Sequence, residues 1–279
     1  MKNKFKLNSS TLLVFILTTG VFGIINTEMG VIGILPLIAE NFQVTVPEAG
    51  WTDSIFALVV AISAPITPLL FSGINRKKVM ILALGLFTLS NIISMMTTNF
   101  TVLLISRALP AFLHPVYVSM AFTVAAASVS KEKAPKAVAK VFIGVSAGMV
   151  LGVPVTSYIA SEVSYSMGML FFTVVNALVL VATILFVPSM PVKEKLSYGT
   201  QLGVLKKKVV WYSILAITLI NGALFGFFSY MSDYLKTITG VSYTVISTML
   251  LIYGLANIIG NVIALSLIHI SEPTRPLYI

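Results

Sequence analysis

The chain has 279 residues, of which 57% are apolar and only 10% charged, and its mean hydropathy is +1.00. Soluble domains carry about 25% charged residues, so a water-soluble globular fold is excluded. The net charge of +9 would suit a nucleic-acid binder, but the basic residues stand in short clusters between apolar stretches, no continuous basic face forms, and nucleic acid is not an expected partner. There are no cysteines, which removes disulfides, thiolate metal sites and cysteine nucleophiles.

A membrane-spanning helix needs about 20 mostly apolar residues. Eight such segments are predicted, at 11–39, 52–74, 79–97, 101–128, 138–160, 167–187, 210–235 and 242–267. Continuous apolar runs, without the alternation of a barrel wall, favour helices, which also pair their own backbone groups in lipid. The first run is too long for a cleaved signal peptide.

Basic residues fall on every second connection. Lys2, Lys4 and Lys6 precede the first segment. Arg76, Lys77 and Lys78 follow the second, and Lys131, Lys133, Lys136 and Lys140 follow the fourth. Lys193, Lys195, Lys206, Lys207 and Lys208 follow the sixth, so fifteen of the 18 basic residues lie on one side. Glu40, Glu48 and Glu162 occupy the intervening loops. Basic loops stay cytoplasmic, which places the N-terminus inside, and the clusters should attract anionic lipid.

Pro188 to Lys208 is polar, basic and bracketed by Pro188 and Pro191. It divides a six-helix bundle, 1–187, from the next two helices, 210–265, as a cytoplasmic linker at 188–209. A faint repeat at an offset of 197 residues, setting Phe56-Ala57-Leu58 on Tyr253-Gly254-Leu255, suggests that the last two helices open a second half. The tail at 266–279 reads as non-native, like a translated adapter, with a real polar terminus as the alternative.

Several polar residues lie inside apolar segments. Glu28 is about 16 Å from the end of its segment, near mid-membrane. A carboxylate there must be paired, hydrated or protonated, and one poised between desolvation and an adjacent cation can bind and release a proton. The alternative is a helix–helix hydrogen bond. Arg107 cannot shed its charge and needs an anion or a wet cavity. Glu28 is its first expected partner and Asp53 its second, in either a displaceable or a static pair. His114, seven residues on, is predicted on the same face, either relaying protons or filling a structural role. Gly144, Gly148 and Gly152 recur every four residues and precede Pro154, a spacing that permits close helix contact and a bend. Asn26 and Asn221 are expected to line a substrate path, while the other intramembrane amides join helices. Of Phe225, Phe227, Phe228 and Tyr230, at least half are expected to face lipid.

Several stretches together resemble a known family. They are Glu28-Met29-Gly30-Val31-Ile32-Gly33-Ile34-Leu35-Pro36, Ala49-Gly50-Trp51 leading into Phe56-Ala57-Leu58, Arg76-Lys77-Lys78, Arg107-Ala108-Leu109 and the segment from Gly144 to Pro154. The combination is similar to the major facilitator superfamily, nearest its bacterial drug:proton antiporter branch of arabinose-efflux and purine-nucleoside-efflux type, over residues 12 to 265. The chain departs from the family's pattern in the loop between helices 2 and 3. Pro68 stands where the family has Gly, Ser72 where it has an acid, and Arg76-Lys77 at the basic pair, which leaves the usual helix-locking charge contact in doubt.

The resemblance implies an all-α polytopic membrane protein, a six-helix bundle plus the first two helices of a second. It implies proton-driven export of a small organic solute (a drug, sugar or nucleoside) by alternating access, with Glu28, Arg107 and His114 coupling protons and Asn26, Asp53 and Asn221 near the substrate. The glycine stripe matches the family's antiporter motif, though Val153 splits its Gly-Pro pair. A monomer in the bacterial inner membrane, driven by the proton gradient without a cofactor and without enzyme activity, is expected. Import, or a membrane sensor that transports nothing, are the other readings. With only two helices of the second bundle, the 279-residue chain itself is expected to be inactive.

Overall fold

The computed structural model describes residues 9–192 and 207–271. Lys2, Lys4, Lys6, Lys193, Lys195, Lys206 and the tail from Glu272 lie outside the described residues, as do the side chains of Asn257 and Asn261. The described chain is all-helical. In order it comprises α1 (Ser9–Met29), a 3-10 turn (Ile32–Ile34), α2 (Leu35–Phe42), α3 (Val46–Ala49), α4 (Trp51–Ser63), α5 (Thr67–Leu70) and α6 (Arg76–Met96). It continues with α7 (Phe100–Ala111), α8 (His114–Ala127), a 3-10 turn (Lys131–Lys133), α9 (Ala134–Glu162), α10 (Tyr165–Phe186), α11 (Lys208–Thr237) and α12 (Tyr243–Ser271). Among the described residues, six helical stretches are long and apolar enough to cross a membrane.

Three of the expected spans are broken. The first stops at Met29, passes through the turn Ile32–Ile34 and resumes as α2, whose first turn holds Pro36. The second is α4 and α5 with a turn between them that contains Pro65, while Pro68 opens α5. The fourth divides into α7 and α8 at Phe112–Leu113, flanked by Pro110 and Pro115. Proline lacks the N–H of the helical ladder and crowds the preceding turn, so helices stop beside it. Hydropathy does not register these breaks, because the residues on either side remain apolar. The eighth helix, expected to end at 267, runs to Ser271.

The third, fifth and sixth spans are single helices. Pro154 lies within α9 without breaking it. A Cβ on Gly254 of α12 would stand 3.0 Å from the Val150 carbonyl oxygen, the acceptor that Pro154 cannot serve. The freed carbonyl therefore faces a glycine of the neighbouring helix.

The first span is the most enclosed of the set. α1 packs along α9, α6 along α10, and α12 along α9. Lipid is as apolar as leucine, so close packing and interhelical hydrogen bonds, rather than the hydrophobic effect, hold such helices together. One apolar cluster joins Leu17, Val21, Ile24, Phe56, Leu84, Phe87 and Tyr117 at the centre of the bundle. A second gathers Ile38, Phe42, Leu103, Tyr165 and Phe172 toward the acidic-loop end. There the Ser94 and Ser106 hydroxyls lie 2.7 Å apart, and the Tyr165 hydroxyl donates to the Ser94 carbonyl at 3.0 Å. The connection before α3 is fixed by a capping box. The Thr45 backbone amide donates to Glu48 at 2.7 Å, and that bond holds the Glu48 carboxyl below its usual range.

At the opposite, basic end, the loop before α6 is tied to the end of α10. Lys77 Nζ donates to the Ile184 carbonyl at 2.8 Å, Asn75 Nδ2 to Ser189 Oγ at 2.7 Å, and the Arg76 amide to the Met190 carbonyl at 3.1 Å. Ser72 donates to Leu69 in its own turn, at 2.7 Å. The acid missing from the loop is thus replaced, as an anchor for Lys77, by the partial negative charge at a helix C-terminus.

Candidate functional site: a broken helix held by Arg107

The break in the first span lies one residue beyond Glu28. The Gly30 amide still bonds the Asn26 carbonyl at 2.9 Å, but the helix does not continue, so the carbonyls of its last turn need other donors. Gly30 is required there: a Cβ would stand 2.5 Å from the Phe172 ring and 2.7 Å from the Asn26 carbonyl oxygen.

Arg107 supplies the missing donors. Nη1 donates to the Thr27 carbonyl at 2.7 Å, Nη2 to the Glu28 carbonyl at 3.2 Å, and Nε to the Thr52 carbonyl of α4 at 3.2 Å. The guanidinium stacks over Phe56 at 5.0 Å and is only 2% exposed. Its rigid fork suits several carbonyls at once, and the aromatic face adds a cation–π contact. This corrects the expected pairing, since Arg107 grips the backbone at Glu28 and not the Glu28 carboxylate. Among the described residues no carboxylate lies within ion-pair distance of it.

The partner of the Glu28 carboxylate is His114. Nε2 stands 3.1 Å from Glu28 Oε2, off the line of a hydrogen bond but within ion-pair range, and the two side chains are 12% and 15% exposed. His114 opens α8 immediately after the break in the fourth span, with Pro115 next to it. The helical register that would put Arg107 and His114 on one face is therefore interrupted. They still converge, because both pack on Phe56, His114 edge-on at 5.8 Å. Phe56 is wholly buried, and sequence reasoning gave it no role in the site. The available signal was its position three residues after Asp53, on the same helical face.

Behind Glu28, Thr27 joins two other spans. Its hydroxyl accepts from Asn176 Nδ2 at 2.9 Å and from Asn91 Nδ2 at 3.3 Å, and donates to the Gly23 carbonyl at 2.9 Å. Asn91 and Asn176 thus join helices, as expected of intramembrane amides.

Asn26 is fully buried, is not among the residues lining the cavity beside Asn221, and lies where a Cβ on Gly152 would stand 2.8 Å from its Oδ1. The glycine stripe explains this placement. Gly144 abuts the Thr18 carbonyl, and a Cβ on Gly148 would stand 2.8 Å from Ile25. The stripe lets α9 lie directly on α1, and Asn26 is enclosed between them.

Asn221 lines a cavity of about 250 Å³ among α1, α9, α11 and α12, with Met29, Met149, Phe225, Phe228 and Tyr253. Its amide donates to the Ile217 carbonyl of its own helix at 2.9 Å. Phe228 stacks on Tyr253 at 5.0 Å. Of the four aromatics singled out on this helix, Phe225 and Phe228 line the cavity, while Phe227 and Tyr230 do not and are exposed. Pro154 lies on the same wall.

Asp53 reaches the other way, toward the last two spans, and accepts from the Ser229 hydroxyl at 3.5 Å. Two more contacts close that end: Thr244 donates to Glu162 at 2.8 Å, and Tyr230 packs where a Cβ on Gly50 would be 2.7 Å from its hydroxyl. Ile32, Val153, Ile246 and Leu250 form an apolar seal beside them.

Comparison with known proteins places this arrangement. The profile of the Major Facilitator Superfamily matches residues 12–279. The inner membrane transport protein YdhP of Escherichia coli K12 is 30% identical over 245 residues, covering 88% of this chain and 63% of that protein. The putative transporter AraJ of the same organism is 27% identical over 248 residues, covering 89% and 63%. The uncharacterized MFS-type transporter YtbD of Bacillus subtilis is 30% identical over 248 residues, covering 88% and 63%. The chain thus spans under two thirds of the length of these relatives. Among solved structures, a bacterial homolog of the human lysosomal transporter Spinster, inward-facing and unoccupied, superposes with TM-score 0.69 at 17% identity over 90% of this chain and 60% of that one. The human organic anion transporter MFSD10 gives 0.63 at 16% identity, over 88% and 70%.

Proposed function

The chain belongs to the Major Facilitator Superfamily of membrane transporters, and from that premise we propose that it serves proton-coupled efflux of a small organic solute by alternating access. The observation that carries the reading is the Glu28–His114 contact at 3.1 Å, beside a break in the first span. A carboxylate and an imidazole in contact inside a membrane are the kinds of group that can hold and pass on a proton. The two side chains keep slight exposure, while His114 Nε2 itself is buried. Arg107 is the positioning residue, fixing the end of α1 from which Glu28 projects.

In this reading the N-terminus and the basic loops face the cytoplasm of a bacterial inner membrane. Asp53–Ser229, Glu162–Thr244 and the seal around Ile246 then form a closed external gate, and the chain is inward-facing, the conformation named for the Spinster homolog. Solute enters beside Asn221 and the Phe228–Tyr253 stack, and opening of the gate releases it outside.

The test is Glu28→Gln beside its parent in proteoliposomes with an imposed pH gradient, where a parent without flux would instead bear out the inactivity expected of the 279-residue chain. The variant is expected to insert and fold but to lose gradient-driven flux, while solute exchange without a gradient persists. Full gradient-driven flux would refute the role given to Glu28. Flux that depends on Glu28 but runs only inward would favour import.

A further inference from the structure

We propose that the basic end of the bundle contains a built site for the phosphate headgroup of an anionic phospholipid, between the start of α1 and the start of α9. A polar cavity of about 670 Å³ opens there, lined by Lys133, Lys136 and Lys140 together with the hydroxyl residues Ser10, Thr11, Ser128 and Ser130. Val14 and Ala137, both buried, form its floor.

Three lysines line one cavity, a concentration of positive charge that suits an anion. Among the described residues, none has a carboxylate in ion-pair range. Glu132 is exposed and does not line the cavity. Other cations at this end are used differently, as Lys77 is by the Ile184 carbonyl. Ser10 and Thr11 lie in the first turn of α1, and Ser130 precedes the turn leading into α9. Charge, donors and space therefore point to one ligand chemistry, a phosphate group.

The position selects the source. The cavity lies where two spanning helices end, with an apolar floor beneath a polar rim. A phospholipid headgroup sits at that depth with its chains running along the helices, and basic pockets at the ends of spans suit anionic headgroups. Free phosphate would gain nothing from Val14 and Ala137.

The experiment uses the whole protein extracted from vesicles of equal phosphatidylglycerol and phosphatidylcholine, with retained lipid counted by native mass spectrometry. Phosphatidylglycerol should be retained in preference, and each lysine changed to glutamine should weaken retention by about fivefold. The combined K133Q/K136Q/K140Q variant should lose the preference, while the triple arginine variant, which preserves charge, keeps it. Lys78→Gln, at the same end but outside the cavity, should leave retention unchanged. Equal retention of the two lipids, or a preference that survives the triple glutamine variant, overturns the site. A loss as large in Lys78→Gln as in Lys136→Gln reduces it to general surface attraction. Displacement of the lipid by millimolar inorganic phosphate overturns the lipid source. The single Lys136→Gln variant decides the matter if the triple variant fails to fold.

Discussion

The broken spans and the unbroken ones do different work. The first, second and fourth spans are interrupted by proline or glycine, and they carry Glu28, Asp53, Arg107 and His114. The third, fifth and sixth are continuous, and Asn91, Asn176 and the glycine stripe of α9 all close on α1. A break in lipid leaves carbonyls that must be satisfied inside the protein, and a buried cation is one means of satisfying them. Ionisable groups and breaks thus occur together for a physical reason. The continuous spans surround the three broken ones that carry the ionisable groups.

The largest effect should come from removing the clamp. Arg107→Ala leaves three carbonyls without their donor and should destabilise the fold by about 3 kcal/mol. It should also lower the melting temperature more than any substitution in the continuous spans. If Arg107→Ala melts like the parent protein, the break does not depend on the guanidinium. The continuous spans are probed next by Gly144→Ala, which drives a methyl into the Thr18 carbonyl, backbone that no rotamer change can move. A loss of about 2 kcal/mol is expected, read by thermal unfolding in detergent. The smallest effect belongs to Gly85→Ala on α6, where a Cβ meets nothing within 4 Å. Alanine is the better helix former by about 1 kcal/mol, so this change should raise stability slightly. A destabilised Gly85→Ala protein would mean that the open face of α6 has a partner.

Much of the architecture was legible in the chain. Seven of the eight expected segments, those other than the broken second one, correspond to long helical stretches, though the first and fourth are broken within. The glycine spacing at Gly144, Gly148 and Gly152 correctly announced close helix contact. The site was legible in depth but not in detail. Glu28, Arg107 and His114 do come together, yet the expected Glu28–Arg107 carboxylate pair is replaced by Glu28–His114, and Arg107 turns to carbonyls. Asn26 was placed at a cavity and is enclosed in a helix seam. Phe56, on which both Arg107 and His114 pack, carried no polar signal.

Hydropathy sums along the chain, so the sequence by itself determined which segments are apolar enough for lipid and how deep each polar residue lies within them. Which way each helix turns its side chains, and where a proline leaves a carbonyl open, was decided only by the tertiary structure. One residue turns a helix by about 100°, and a single break resets that angle for everything beyond it. The partner of Glu28 therefore depends on two breaks in two separate spans, and no local pattern records how they align.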